Sequence, residues 1–181
     1  MTADEFIAWS LVQPRDDEGG KFELHDGLII RQQSERAVHG EVKLATAASL
    51  RAAVRKAGLP CYTHGDGATV RINKKKVYLP DALVYCGKRV PPDTVEFPDP
   101  MIIVEVIFLD SVGRDHGDKV EAYFSLDSVQ HYLIVDPERK AVVHHRRGTG
   151  DEFLTRIRKK GALKLDPPGL AIAVGDLFER E

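Results

Sequence analysis

The sequence predicts an α/β domain with a mixed, mostly antiparallel central sheet flanked by helices, and three observations carry that reading. Short apolar runs recur between turn signals, and the one at 101–108 is rich in Ile and Val in the manner of a strand buried on both faces. A stretch at 35–57 carries Val38, Val42, Leu44, Ala45, Ala48, Leu50 and Val54 at helical spacing. A second helical stretch, 115–125, stands between two strand-like runs. At 181 residues, 43% hydrophobic and 30% charged, the chain fits one globular domain spanning 1–181 with a core of ordinary size.

In chain order, Thr2 and Glu5 have the spacing of a capping box, and Phe6, Trp9 and Leu11 give a short first helix its apolar face. Residues 14–20, opening on Pro14, end that helix. Residues 21–32 form two strands around Asp26-Gly27, a strong hairpin turn signal. The long helix follows, closed by Gly58 and Pro60. Strands are expected at 61–64, 69–72, 81–86 and 101–108, with Lys74 to Lys76 in a loop and Pro80 at a strand's first position, where its missing N–H is tolerated. Asp115 can cap the second helix, whose apolar side is Val120, Tyr123 and Phe124. Strands at 131–136, 141–146 and 152–158 come next, and Pro167-Pro168-Gly169 leads to a small helix near 176–179.

A net charge of −2 gives no global pull toward nucleic acid, so any such contact must use local clusters such as Lys74 to Lys76, Arg146-Arg147 or Arg156 to Lys160. Clusters of this kind also serve as solvated turns. Cys61 and Cys86 lack C-x-x-C spacing and sit in apolar surroundings, which reads as reduced core thiols in a cytoplasmic protein. The N-terminus has no basic stretch followed by an apolar one, and no run is long enough to span a membrane.

Two residues break the apolar pattern. Glu105 stands in the middle of Met101 to Phe108, and Asp81 opens Ala82-Leu83-Val84-Tyr85. An ionised group in such a strand must be paired or bound to a metal to offset its desolvation. Strand parity puts Glu105 on one face with Ile103 and Ile107, and Asp81 on one face with Leu83 and Tyr85, so the acids converge if their strands are neighbours. Oxygen donors without sulfur favour Mg²⁺ or Mn²⁺ over zinc, and Mg²⁺ takes only one or two protein carboxylates. The alternatives are a buried acid neutralised by an Arg and an acid near a strand end in water. Without metal, two acids brought together should raise at least one pKa.

Other chemistries find little support. None of the seven histidines has H-x-x-x-H or Cys/His spacing, and His144 and His145 point to opposite faces of a strand. His39 stands at a helix start, where it could meet a phosphate. Neither a Gly-x-Ser-x-Gly elbow nor a phosphate-cradling Gly-x-x-x-x-Gly-Lys is present.

The Pro80-Asp81 pair followed by a second acid-bearing strand resembles the PD-(D/E)xK nuclease superfamily. Its company is more telling: Phe22-Glu23-Leu24-His25-Asp26-Gly27, His39-Gly40, Ile103-Val104-Glu105-Val106, Arg114-Asp115 with Asp118-Lys119, Ala122-Tyr123, His131 to Asp136 and Asp176-Leu177-Phe178. In that order they resemble the Uma2 family of restriction-endonuclease-like proteins over nearly the whole chain. The resemblance implies a restriction-endonuclease-like core and metal-dependent hydrolysis of phosphodiester bonds, with DNA as substrate and a homodimer as the natural assembly for cutting both strands. It implies that Asp81, Glu105 and the backbone carbonyl of Val106 hold Mg²⁺ or Mn²⁺. Glu23 would complete or extend the shell. The superfamily lysine two residues beyond the second acid is Ile107 here, and the family resemblance moves that role to Lys119 on the next helix. After Val106 the chain also departs from the family's usual Ser-Pro-Ser-like loop, reading Ile107-Phe108-Leu109-Asp110-Ser111. The rival expectation is a catalytically inactive nuclease-fold module with a binding or regulatory role. A third is an enzyme acting on RNA or a small phosphoester.

Overall fold

Six strands make the central sheet. In chain order they are β3 (Cys61–His64), β6 (Ala82–Cys86), β7 (Pro100–Val106), β8 (His131–Asp136), β9 (Ala141–Arg147) and β10 (Phe153–Arg158), laid out as β10-β9-β8-β7-β6-β3. The computed structural model describes residues 1–13, 20–32, 34–107 and 115–178. Every neighbouring pair is antiparallel except β7 and β8. Parallel neighbours need a crossover, and helix α3 (Asp115–Phe124) lies in it. The sheet is therefore mixed and mostly antiparallel, as the sequence predicts.

Both faces are covered, which is why β7 and β8 read as nearly continuous apolar runs. On one face Val84, Ile102, Val104, Leu133 and Val142 pack with Leu50 and Val54 of α2 (Ala37–Ala57). On the other, Leu83, Ile103, Tyr132 and Ile134 pack with Val120 and Tyr123 of α3. Each fully buried Leu, Ile or Val among these contributes about 1.5–3 kcal/mol of transfer free energy.

A second sheet was not expected. It has the order β2-β1-β5-β4, built from β1 (Phe22–His25), β2 (Leu28–Arg31), β4 (Val70–Asn73) and β5 (Lys76–Tyr78). Asp26 and Gly27 both take positive φ in the β1–β2 turn, the conformation that an Asp-Gly hairpin adopts. Tyr78 ends β5 in this sheet, four residues ahead of the strand that opens at Ala82, and Lys76 belongs to β5 rather than to a loop. Leu79, Pro80 and Asp81 thus form the step from one sheet to the other. Helix α1 (Ala3–Leu11) has the capping box of Thr2 and Glu5 and packs Phe6 beside Leu24 and Val77, while Leu11 is exposed.

Three further differences have physical reasons. Helix α2 buries the stripe of Val42, Thr46, Leu50, Ala53 and Val54, with Lys43 beside it, and leaves Leu44 73% exposed. The rotation follows a charge partner for Lys43, described below, that periodicity alone does not reveal. Cys61 and Cys86 form a disulfide instead of remaining thiols. They are 25 residues apart in sequence, yet the antiparallel register of β3 and β6 sets them directly opposite one another. Finally, Ala162–Leu165 (β11) and Leu170–Ala173 (β12) form a hairpin around the Pro167-Pro168-Gly169 turn, followed by one 3-10 turn at Gly175–Leu177. Leu165, Leu170 and Ile172 pack on the α2 side of the core, which the apolar spacing of those short runs had concealed. The expected end of α1 at 14–19, the departure from the family loop at 108–111 and the cap by the Asp115 side chain lie outside the described residues. No helix among the described residues is long and apolar enough to cross a membrane.

Candidate active site

Four elements bring charged side chains to one place. Glu23 comes from β1, Asp81 from the step into β6, Glu105 from β7 and Lys119 from α3; all four are at most 9% exposed. Burial at this level is rarely tolerated for charged groups unless each has a partner. Each has one.

The central atom is the Lys119 ammonium. Its Nζ lies 3.1 Å from Glu23 Oε1 and 3.1 Å from Glu105 Oε1, and 5.0 Å from the centre of the Tyr78 ring. Four residues on, one helical turn along the same face, the Tyr123 hydroxyl donates to Glu105 Oε1 at 2.8 Å. Glu23 accepts the Leu79 N–H at 3.1 Å on Oε1 and lies 2.8 Å from His25 Nε2 through Oε2. A residue on one sheet is thereby tied to the chain as it steps into the other.

Asp81 is fixed by a different set of donors. The Val106 N–H donates to its Oδ2 at 2.7 Å, and Lys43 Nζ lies 2.6 Å from its Oδ1. Lys43 also bonds Glu35. The Asp81 N–H donates to Val104 O at 2.9 Å, so both the main chain and the side chain of Asp81 are registered against β7. This is what holds the two acid-bearing strands in step.

Burial dominates the electrostatics. Glu105 is pushed up to about 7, chiefly by desolvation; Glu23 and Asp81 push the same way, while Lys119 and the Tyr123 hydroxyl oppose. Burial also raises Asp81, against the pull of Lys43 and the Val106 N–H. Burial would raise Glu23, but His25, Lys119 and the Leu79 N–H outweigh it and hold the carboxyl below its usual range. Burial works against the charge on Lys119 and on Lys43, yet the carboxylates beside each lift both above the ordinary lysine value. The arrangement can thus hold both ammoniums permanently charged beside carboxylates of graded acidity.

The acids and the lysine expected from sequence are gathered here, Glu23, Asp81, Glu105 and Lys119, with the main chain of Val106, whereas His39 stands in the first turn of α2. Glu23, on a hairpin strand, is only 1% exposed. Sequence reasoning passed over Lys43, Tyr123, His25 and Glu35. Two of these left a signal: Lys43 interrupts the buried stripe of α2, and Tyr123 follows Lys119 at i+4. His144 and His145, neighbours on β9, have separate partners, His131 and Thr155.

The Uma2 family profile, described as "Putative restriction endonuclease", matches residues 3–174, and the chain belongs to that family. Among solved structures, the chain is similar to one titled as a putative nuclease belonging to DUF820 from Anabaena variabilis ATCC 29413. The two share 17% identity at a TM-score of 0.70, over 98% of this chain and 97% of that one, which is a likeness of fold. No curated protein matches the sequence.

Proposed function

We propose that this member of the Uma2 family is a metal-dependent endonuclease that hydrolyses phosphodiester bonds in DNA, with Asp81, Glu105 and the Val106 carbonyl as the Mg²⁺ or Mn²⁺ site and Lys119 and Glu23 beside it. The observation that carries this reading is the Lys119–Glu105 contact, an acid and a lysine from separate elements set side by side under two-sided burial.

The residues fit a hard divalent cation. Asp81 and Glu105 present only oxygen donors, and the Asp81 charge raises the Glu105 pKa. With Glu105 ionised, the carboxylates of Glu23, Asp81 and Glu105 outnumber the ammoniums of Lys43 and Lys119, which leaves excess negative charge before Glu35 is counted. Among the described residues no group of three or more His, Cys, Asp or Glu stands ready as a cage. Mg²⁺ does not ask for one, because it keeps several waters and takes one or two carboxylates. Bound there, the ion would supply Lewis-acid stabilisation of a phosphate oxygen and a more acidic water.

The chain's own groups do the rest. Lys119 offers an N–H to the attacking water and offsets charge developing on the phosphate. Tyr123 holds Glu105 Oε1 by its hydroxyl, and the Val106 N–H holds Asp81 Oδ2, so both carboxylates are oriented before any ligand arrives. Glu23 and His25 fix the other side of the ammonium. Cutting both strands of a duplex calls for two such sites, hence a homodimer.

One observation favours a second reading. Both acids already hold an ammonium, so the cluster would also serve as a structural ion-pair network in an inactive module. Incubation of supercoiled plasmid DNA with Mg²⁺ or Mn²⁺ separates the two. The nuclease reading expects nicked or linear product from the parent and at least about a 10²-fold lower rate from Lys119→Ala, the scale of losing one transition-state charge stabiliser. Folded parent protein that leaves the plasmid intact with either ion would favour the inactive module.

A further inference from the structure

The geometry points to a second binding site, a cleft between β9–β10 and β11 that takes a phosphate ester bearing a neighbouring hydroxyl, the chemistry of a nucleotide. This goes beyond the nuclease reading and does not rest on it. The cleft encloses about 340 Å³ and is lined by Arg146, Arg156, Arg158, Lys164, His144 and Leu154 among others, with no acid among the described residues of its walls. That volume is in the range of small-ligand sites.

Register places the cleft away from Glu105. Glu105 aligns with Ile134 and Val143 on one face of the sheet, whereas Val104, Leu133, His144 and Arg156 align on the other. Arg146, Arg156, Arg158 and Lys164 make no ion pair among the described residues, although acids are as numerous as bases in this chain. Four uncompensated cations around one cleft attract an anion, and guanidinium forks suit phosphate oxygens.

His144 adds a second requirement. It is 6% exposed and its Nε2 lies 2.8 Å from His131 Nδ1, while His131 Nε2 lies 2.8 Å from the Pro167 carbonyl oxygen. A carbonyl only accepts, so the His131 proton is on Nε2 and its Nδ1 is an acceptor. His144 must therefore donate from Nε2, which leaves its Nδ1 as a lone pair. The buried pair remains neutral because burial pushes both histidines down to about 4. Asp166 favours the charged form of His131 and Arg146 opposes it, while His145, Arg146 and Arg156 all oppose a charge on His144. His144 lines the cleft with its Nε2 already engaged by His131, so the wall offers cations for anionic oxygens and the His144 Nδ1 as the acceptor we assign to a hydroxyl, with Leu154 as an apolar rest for a sugar.

Calorimetric titration with adenosine 5′-monophosphate, 2′,3′-dideoxyadenosine 5′-monophosphate and inorganic phosphate tests this on the full chain. The ribonucleotide should bind, and Arg156→Ala with Arg158→Ala, both fully on the exposed strand β10, should weaken it at least about tenfold, the effect of losing one charge-assisted contact or more. The dideoxy compound should bind several-fold more weakly in the parent. A ribo-oligonucleotide arm separates the sources: tighter binding than the mononucleotide assigns the site to a strand, weaker binding to a free nucleotide. Absence of saturation at millimolar ribonucleotide, equal affinity in the double variant, or equal affinity for the dideoxy compound would overturn the proposal.

Discussion

Two charged regions lie on opposite faces of the same sheet, and they handle charge in opposite ways. Around Glu105, three carboxylates and two ammoniums are buried and bonded to one another and to main-chain N–H groups. In the β9–β10 cleft, four cations stand at the surface without acidic partners among the described residues. Buried charges have to be compensated within the fold, which fixes their positions and makes the cluster fit for chemistry at one point. Exposed charges keep their hydration and need no internal partner, which makes them fit for attracting a mobile anion. The same residue types therefore serve stability on one face and stand free to meet an anion on the other.

That contrast is broken most directly by removing a cation from each region. Lys119→Met leaves Glu23 and Glu105 buried beside each other without their shared ammonium, and urea unfolding should show a loss of about 3–5 kcal/mol. Activity on plasmid DNA should be lost with it. Because an unstable variant would obscure that result, Lys119→Arg gives the control: it keeps the charge, should recover most of the stability, and should still cleave poorly because a planar fork does not present the compact donor of an ammonium.

A smaller effect is expected from Tyr123→Phe. It deletes one donor to Glu105 Oε1 while Lys119 still reaches the same atom. The loss should be about 1.5–3 kcal/mol by urea unfolding, the usual scale of a hydrogen bond to a charged group. Arg156→Ala on the other face should change stability by no more than about 0.5 kcal/mol, as at other exposed positions. An Arg156→Ala penalty as large as that of Lys119→Met would erase the distinction between the two faces.

The histidine pair sharpens it through pH. His131 and His144 are held down at about 4 in the folded chain, chiefly by burial, against an ordinary value of 6.5. Unfolding releases two groups that bind protons more readily than the folded chain does. Their contribution is complete above pH 6.5 and is lost as pH falls toward about 4, at up to about 1.4 kcal/mol per pH unit for each histidine. His144→Leu should flatten that limb of the stability profile, and an unchanged slope would remove His144 from the neutral pair.

Much of this was legible in sequence because the signals are local. Glu105 could be picked out since a carboxylate in an Ile/Val run needs a reason, and the Asp26-Gly27 turn carries its own geometry. Lys119 was reached only through resemblance. Nothing in its own surroundings separates it from a surface lysine on a helix. The parts that escaped depend on register between distant strands. Cys61 meets Cys86, and Glu23 meets Leu79, only after β3 pairs with β6 and β1 pairs with β5. Lys43 reads as a flaw in a helical stripe until Asp81 stands opposite it. The β11–β12 hairpin was hidden for a similar reason, since its four-residue strands hold too few alternations to declare a period.

The measurement that bears most directly on the central claim is Mn²⁺ titration by calorimetry of the parent and of Asp81→Asn with Glu105→Gln, variants that keep the volume of both side chains. The account predicts saturable binding to the parent near one ion per chain and none to the double variant, with both proteins folded by circular dichroism. A parent that takes up no Mn²⁺, or a double variant that binds it as the parent does, would contradict a metal site at Asp81 and Glu105 and leave the cluster as an ion-pair network that ties the two sheets together.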